Sequence, residues 1–274
     1  MQRREFLAAS TAAALGLATS QVVRAQNAAP AAAGDPPRQL IELRVYHFAS
    51  ADKREAFEDF LGTAAAPAIK RAGVEPVGVF KLLAKDNPDL KLSADPNDLY
   101  VVLPHKTVQS FLGLAERMAA DPAFLQAGFS ILTAPKSDPA YVRYEASLLR
   151  GFATFPGVQA PTKAAGRVVQ LRTYESHSSE RAMVKIRMFE EGGEIDIFKK
   201  VGMNPVFFGQ TLFGTKLPNL TYMLGFEDEG ALKAAWDKFR ADPDWKALSA
   251  DETYKDTVSN ITNLVLRPVE GSQI

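Results

Sequence analysis

Two arginine and tyrosine pairs, each set at one spacing, are the side chains of this sequence best suited to chemistry. Leu43-Arg44-Val45-Tyr46 returns as Leu171-Arg172-Thr173-Tyr174. A guanidinium withdrawn from water needs a carboxylate, a carbonyl or a ligand anion to offset its desolvation. Arg44 and Arg172 are therefore candidates to hold the polar end of a ligand, although an internal partner such as Glu42, Glu75 or Glu194 is the commoner arrangement for a buried cation. Tyr46, Tyr174 and Tyr222 are the accompanying candidates, able to hydrogen-bond a ligand or to steer a radical, with a satisfied half-buried hydroxyl as the ordinary alternative.

Other reactive groups are sparse. The three histidines, His47, His105 and His177, form no metal-binding spacing with one another or with carboxylates, and a single one of them ligating haem iron is the weak remaining option. There is no cysteine, which removes disulfides, thiolate metal sites and thiol nucleophiles together. No serine stands in an elbow context and no carboxylate pair suggests hydrolysis. Trp236, Phe239 and Trp245 follow helical spacing and read as core. The sequence requires no cofactor.

The elements that must position these residues are duplicated. Gly73-Val74-Glu75-Pro76-Val77 returns as Gly202-Met203-Asn204-Pro205-Val206, and Thr107 to Phe124 matches Asp228 to Trp245 with Met118 at Phe239, Ala115 at Trp236 and Phe124 at Trp245. A repeat of roughly 110 residues follows, an ordinary domain size. In the first copy Ile41, Leu43 and Val45 alternate with polar neighbours as in a strand. Asp52 with Glu55 suggests a capping box, and Phe57, Phe60, Leu61, Ala64, Ala68 and Ala72 form one helical face ending at Gly73, with Pro67 expected to kink it. Strands over 74–83 and 99–103, a helix from Thr107 to Asp121 and a strand over 144–149 complete the order βαββαβ, a ferredoxin-like unit. The second copy predicts strands over 168–174, 203–213, 220–226 and 261–267, with helices within 179–201 and over 228–241. The hairpin between the second and third strands is about eight residues longer in the first copy.

Each four-stranded sheet carries both helices on one face and must bury the other, and tandem copies can do so by facing each other as an α+β barrel inside one chain. Strand parity then predicts that Ile41, Leu43 and Val45, with Val169, Leu171 and Thr173, face the helices. Glu42, Arg44 and Tyr46, with Gln170, Arg172 and Tyr174, are expected to point into the barrel. Leu171 and Trp236 are expected in one core.

The N-terminus reads as an export signal: Arg3-Arg4-Glu5-Phe6-Leu7, a short apolar stretch, then Val23-Arg24-Ala25. The arginine pair suggests the twin-arginine route. Cleavage after Ala25 would move the formal charge from 0 to about −2, and a near-neutral chain has no electrostatic footprint for nucleic acid or anionic lipid. The predicted organisation is a signal peptide over 1–25, a disordered tether rich in Ala and Pro over 26–39, a first domain over 40–150, a linker over 151–166 and a second domain over 167–270. No stable membrane anchor would remain after cleavage, and the location would be periplasmic or otherwise extracytoplasmic.

Further matching residues extend the likeness to a family. Phe189, Gly193-Glu194-Ile195, Gly202 to Phe207, Leu217-Pro218-Asn219-Leu220-Thr221-Tyr222-Met223-Leu224, Trp236 with Phe239, Asp242-Pro243-Asp244-Trp245 and Leu266-Arg267-Pro268, together with the two Leu-Arg-x-Tyr starts, resemble the NIPSNAP family. The resemblance covers 167–270 well and 40–150 more loosely, since the first copy lacks the Leu-Pro-Asn-Leu-Thr-Tyr run. It implies the dimeric α+β barrel fold, shared by small monooxygenases and haem-handling enzymes, and no established reaction. An exported protein departs from the vesicular or mitochondrial roles suggested for the family.

Three functional expectations result. One is a protein of unassigned reaction holding a small, partly apolar ligand in the barrel, its polar end on Arg172 and Tyr174. Another is an oxygenase or haem-handling enzyme, by analogy of fold. The third is a structural or partner-binding module, with a homo-oligomer compatible with each.

Overall fold

The computed structural model describes residues 37–274. The expected signal peptide and all but the end of the expected tether lie outside the described residues.

Alternating apolar residues form strands β1 (Leu40–His47), β2 (Gly78–Leu82), β3 (Asp98–His105) and β4 (Arg143–Gly151) in the first copy. The second copy supplies β5 (Val168–Glu175), β6 (Asn204–Phe213), β7 (Asn219–Phe226) and β8 (Asn260–Pro268). All pairings are antiparallel, in the orders β4-β1-β3-β2 and β8-β5-β7-β6, and the two sheets join through β2 with β8 and β4 with β6 into one closed barrel. Closure removes every sheet edge. The expected α+β barrel of two ferredoxin-like units is thus the fold.

Helices cover the outside. The first copy has α1 (Ala51–Phe60), a π-helical turn over Leu61–Ala65, α2 (Ala66–Arg71), and a chain of short helices α3 (Val108–Leu112), α4 (Leu114–Ala119), α5 (Pro122–Ala127) and α6 (Phe129–Leu132). The second has α7 (Ser179–Glu190), α8 (Glu194–Lys200), α9 (Glu229–Ala241) and α10 (Pro243–Ala250). The kink expected at Pro67 takes the form of the π turn just before it, with Pro67 in the first turn of α2, where its missing N–H costs nothing. The N-cap of α1 is Ser50, whose hydroxyl accepts from the Lys53 amide, and not Asp52. Helices α2 and α8 both stop at a glycine with positive φ, Gly73 at 81° and Gly202 at 90°, which explains why that glycine recurs.

The faces of the strands are opposite to the parity expectation. Ile41, Val102, Val169, Leu171, Met223 and Leu266 fill the barrel interior as one core that draws on both copies. Tyr46 packs instead under the first copy's helices and Tyr174 under the second's. Arg44 and Arg172, two residues earlier on the same strands, share that outer face. Leu171 therefore lies inside the barrel while Trp236 packs outside it. The parity rule fails for a physical reason. It presumes one dry face, whereas a closed barrel under helices buries both faces, so the aliphatic set takes the side packed from every direction and the amphipathic Arg, Tyr and Gln set takes the side nearer water.

Residues 151–166 have no helix or strand of their own beyond Gly151, yet they are pinned to the barrel. Phe152 and Phe155 are buried in the second copy's core, and Gln39 accepts the amides of Gly151 and Val158 through its carbonyl and side-chain oxygens. Gln39, expected in a loose tether, is thus fixed.

Candidate functional site

The barrel interior offers little room. Its core side chains leave a cavity of about 130 Å³ at one end, among Val45, Thr173, Thr221 and Lys216. Several of its polar groups are already paired, Thr173 with Thr221 at 2.9 Å, Thr211 with Asn219 at 2.5 Å and Lys216 with Thr262 at 3.0 Å. The expected ligand space inside the barrel is therefore core.

A larger cavity, about 620 Å³, lies outside the barrel on the second copy. Its floor is the outer face of β5 and β8, with Gln170, Arg172, Tyr174, Asn263 and Val265. Trp236 and Phe239 of α9 and Trp245 of α10 form one side. The opposite side is the long hairpin of the first copy, where Asp86 to Leu90 reach across onto β8. Asn87 holds that hairpin in place. Its amide donates 2.8 Å to the carbonyl of Val265 and its side-chain oxygen accepts the Val265 amide at 2.8 Å, continuing the sheet through a side chain. Asp86 accepts from Arg267 at 2.5 and 3.0 Å. The extra residues of one copy thus build a wall for the other copy's pocket.

Arg172 is the group for which the pocket has no internal answer. Its side chain makes no hydrogen bond or ion pair among the described residues, and its buried Nε has no acceptor. What it does have is aromatic company, 4.5 Å from the Trp236 ring and 5.3 Å from the Tyr174 ring. Cation–π contact stabilises the guanidinium charge and leaves its donors unused. Arg44 behaves differently: its Nε donates 2.6 Å to Glu42 and its Nη1 donates 3.2 Å to the Tyr46 hydroxyl. Internal pairing is thus correct for Arg44 and incorrect for Arg172.

The surrounding polar groups are committed to each other. Lys185 donates 2.7 Å to Glu194, both almost wholly buried, and lies over the rings of Tyr174, Phe189 and Trp245. Trp236 Nε1 donates 2.6 Å to Gln170, whose amide donates 2.7 Å to Asn263. The Tyr222 hydroxyl donates 2.9 Å to that of Tyr174. Burial raises the pKa of both tyrosines, Tyr222 far above the usual 10, so neither ionises at neutral pH. Tyr174 lines the pocket, whereas Tyr222 stands behind it as core.

Sequence reasoning found Arg172 and Tyr174 and named Glu194 as a possible partner for arginine, whereas its partner is Lys185; Lys185 and the Asp86 to Leu90 wall were missed. Lys185 left a signal, a lysine on the same helical stripe as Ala182, Ile186 and Phe189. Trp236 and Trp245 serve both as core and as pocket lining.

The histidines stay out of this site. His47 meets Asp98 at 2.8 Å, His105 is fully buried with Glu42 at 3.2 Å, and His177 is exposed. Haem would need an iron ligand aimed into the pocket. None of the three lines it, while Tyr174 and Lys185 are bonded to neighbours, so the residues present do not fit haem. Among the described residues no group of three or more His, Cys, Asp or Glu could hold a metal ion, and no helix is long and apolar enough to cross a membrane.

No curated protein matches the chain. Among solved structures, a candidate monooxygenase from Lactobacillus acidophilus is similar at 10% identity, with a TM-score of 0.54, covering 84% of this chain and 94% of that one. A candidate monooxygenase from Fusobacterium nucleatum subsp. nucleatum is similar at 10% identity and a TM-score of 0.53, covering 84% and 92%. An uncharacterized NIPSNAP-like domain protein from Burkholderia xenovorans is 21% identical over 40% of this chain and 90% of its own, with a TM-score of 0.36. The first two likenesses establish a shared α+β barrel fold and nothing about the reaction. Residues 169–273, which contribute the floor, the tryptophans and the Lys185–Glu194 pair of the pocket, match the NIPSNAP family model.

Proposed function

We propose that the chain is an exported NIPSNAP-type protein that holds a small, partly apolar organic anion in the second copy's outer pocket. The observation that carries this reading is Arg172, a half-buried cation with no internal counter-charge, clamped between aromatic rings at the floor of a roomy cavity. A carboxylate accepting from its free N–H groups would supply the missing partner, bidentate where geometry allows. Trp236, Trp245, Leu232 and Val258 offer the apolar remainder of such a molecule a dry wall. Buried pairing of Lys185 with Glu194 keeps the second interior cation from competing for the same anion.

Both tryptophans of the chain line the pocket, so their emission reports its occupancy directly. Titration with naphthoate and benzoate carboxylates against their carboxamides is the test. The reading expects carboxylates to move the emission at concentrations at least tenfold lower than the amides, and equal response to both would refute it. An oxygenase acting on a ligand in this pocket has the shared fold in its favour; oxygen uptake with the bound acid would bring it forward. Export is supported by Arg3-Arg4-Glu5-Phe6-Leu7. Changing both arginines to lysine should leave the precursor inside the cell, and unchanged export would remove the twin-arginine route.

A further inference from the structure

The first copy contains a second cavity, about 240 Å³, at the place equivalent to the core of the second copy, between sheet and helices. It exists because the duplicated positions carry smaller side chains. Counting back from the shared glycines Gly73 and Gly202 puts Ile69 where the second copy has Phe198. Arg44 faces Val101 across the strand pair as Arg172 faces Tyr222, so Val101 stands in for that tyrosine. Met118 corresponds to Phe239 in the matched helices. Phe198, Tyr222 and Phe239 are all buried in the second copy's aromatic core, whereas Ile69, Val101 and Met118 line open space.

The chemistry of this cavity also differs from that of the Arg172 pocket. Arg44 is its sole charged lining residue, and that charge is already met by Glu42 at 2.6 Å. Ala65 occupies the place of Glu194, counting from the same glycines. The remaining lining is apolar, aliphatic and aromatic side chains with the Met118 thioether, apart from the hydroxyls of Tyr46 and Tyr141. The π turn at Leu61–Ala65 widens the helix at the cavity wall, and apolar side chains on the neighbouring short helices, Phe129 and Leu132, remain exposed at 66% and 44%.

We infer that this first-copy cavity is a second binding site, selective for an uncharged, largely hydrocarbon molecule of one or two rings. An apolar cavity of roughly 150 Å³ stays dry and accepts benzene, so this space is large enough for such an occupant. The duplication has therefore yielded two sites of opposite preference, one for an organic anion and one for a neutral apolar molecule. The inference is independent of the role proposed for Arg172.

Benzene and toluene are the probes, read by thermal melting and by tryptophan emission. At about five times its dissociation constant a probe held in the folded state should raise the melting temperature by roughly 2–4 °C. Tryptophan emission should stay constant, because both tryptophans line the other pocket. Ile69→Phe and Val101→Phe, which fill the cavity, should abolish the rise. The inference is overturned if the wild-type protein shows no rise, if emission shifts together with it, or if a filled variant that melts at or above the wild-type temperature keeps it. Should both variants fail to fold, crystals of the wild-type protein exposed to benzene vapour decide alone. Density between β3 and the π turn supports the site, and no density there overturns it.

Discussion

Replacing Arg172 by methionine separates a ligand-binding arginine from a structural one. A buried arginine paired with a carboxylate typically costs about 3–5 kcal/mol to remove, because a charge is left stranded. Arg172 has no such partner. Its removal forfeits two cation–π contacts, about 0.5–2 kcal/mol each, and relieves a buried Nε without an acceptor, a penalty of about 1–3 kcal/mol. These contributions nearly cancel, and methionine keeps much of the apolar stem. The expected change is within about 1 kcal/mol of zero, or about 4 °C at most in melting temperature for a chain of this size. Urea denaturation followed by circular dichroism measures it. Lys185→Met is the contrast, since it strands the almost fully buried Glu194 and should cost about 3–5 kcal/mol. A loss of 3 kcal/mol or more for Arg172→Met would refute the claim that its charge awaits a ligand.

Other expectations follow from the same geometry. Leu171→Ala opens a hole in the barrel interior and should cost about 2–5 kcal/mol, and a loss typical of an exposed site would contradict its place in that core. Burial pushes the Glu42 carboxyl up, but hydrogen bonds and charge from His105 and Arg44 outweigh it and hold the pKa below the ordinary 4.5. Its contribution to stability is therefore fully present above pH 4.5 and lost as pH falls through the lower folded value. Glu42→Gln should flatten that acid limb of the melting curve, and an unchanged limb would contradict the pairing. Burial likewise raises Tyr46, Tyr174 and Tyr222, and pushes Tyr100 to about 12, so spectrophotometric titration should find these four un-ionised in the folded protein where the unfolded chain's tyrosines titrate near pH 10. Their folded pKa values exceed the unfolded one, so stability should fall as pH rises above about 10.

Much of the architecture is legible in the chain because it is written twice. Recurrence of the Leu-Arg-x-Tyr strand start, of the helix-ending glycine and of the Asp-Pro helix start gives the element order and the barrel. The face of each strand is not legible, because Leu43 and Tyr46 are both suited to a dry surface and closure supplies two such surfaces. The pocket is half legible. Arg172 and Tyr174 stand out by repetition, but nothing in the composition of Asp86 to Leu90 says that Asn87 will join β8 or that the longer hairpin will wall the other copy's site. Lys185 was readable only as an anomaly on an apolar stripe, and its partner Glu194 lies beyond a helix break at Gly193, whose φ of 85° turns the chain back.

The central claim is that the second copy's pocket holds an organic acid by Arg172. Mass spectrometry of the small molecules extracted from native wild-type protein and from Arg172→Met, purified side by side, tests it most directly. The account predicts an organic acid near one equivalent in the wild-type extract and at least tenfold less in the variant. An acid retained equally by both proteins, or a wild-type extract containing none, would contradict it.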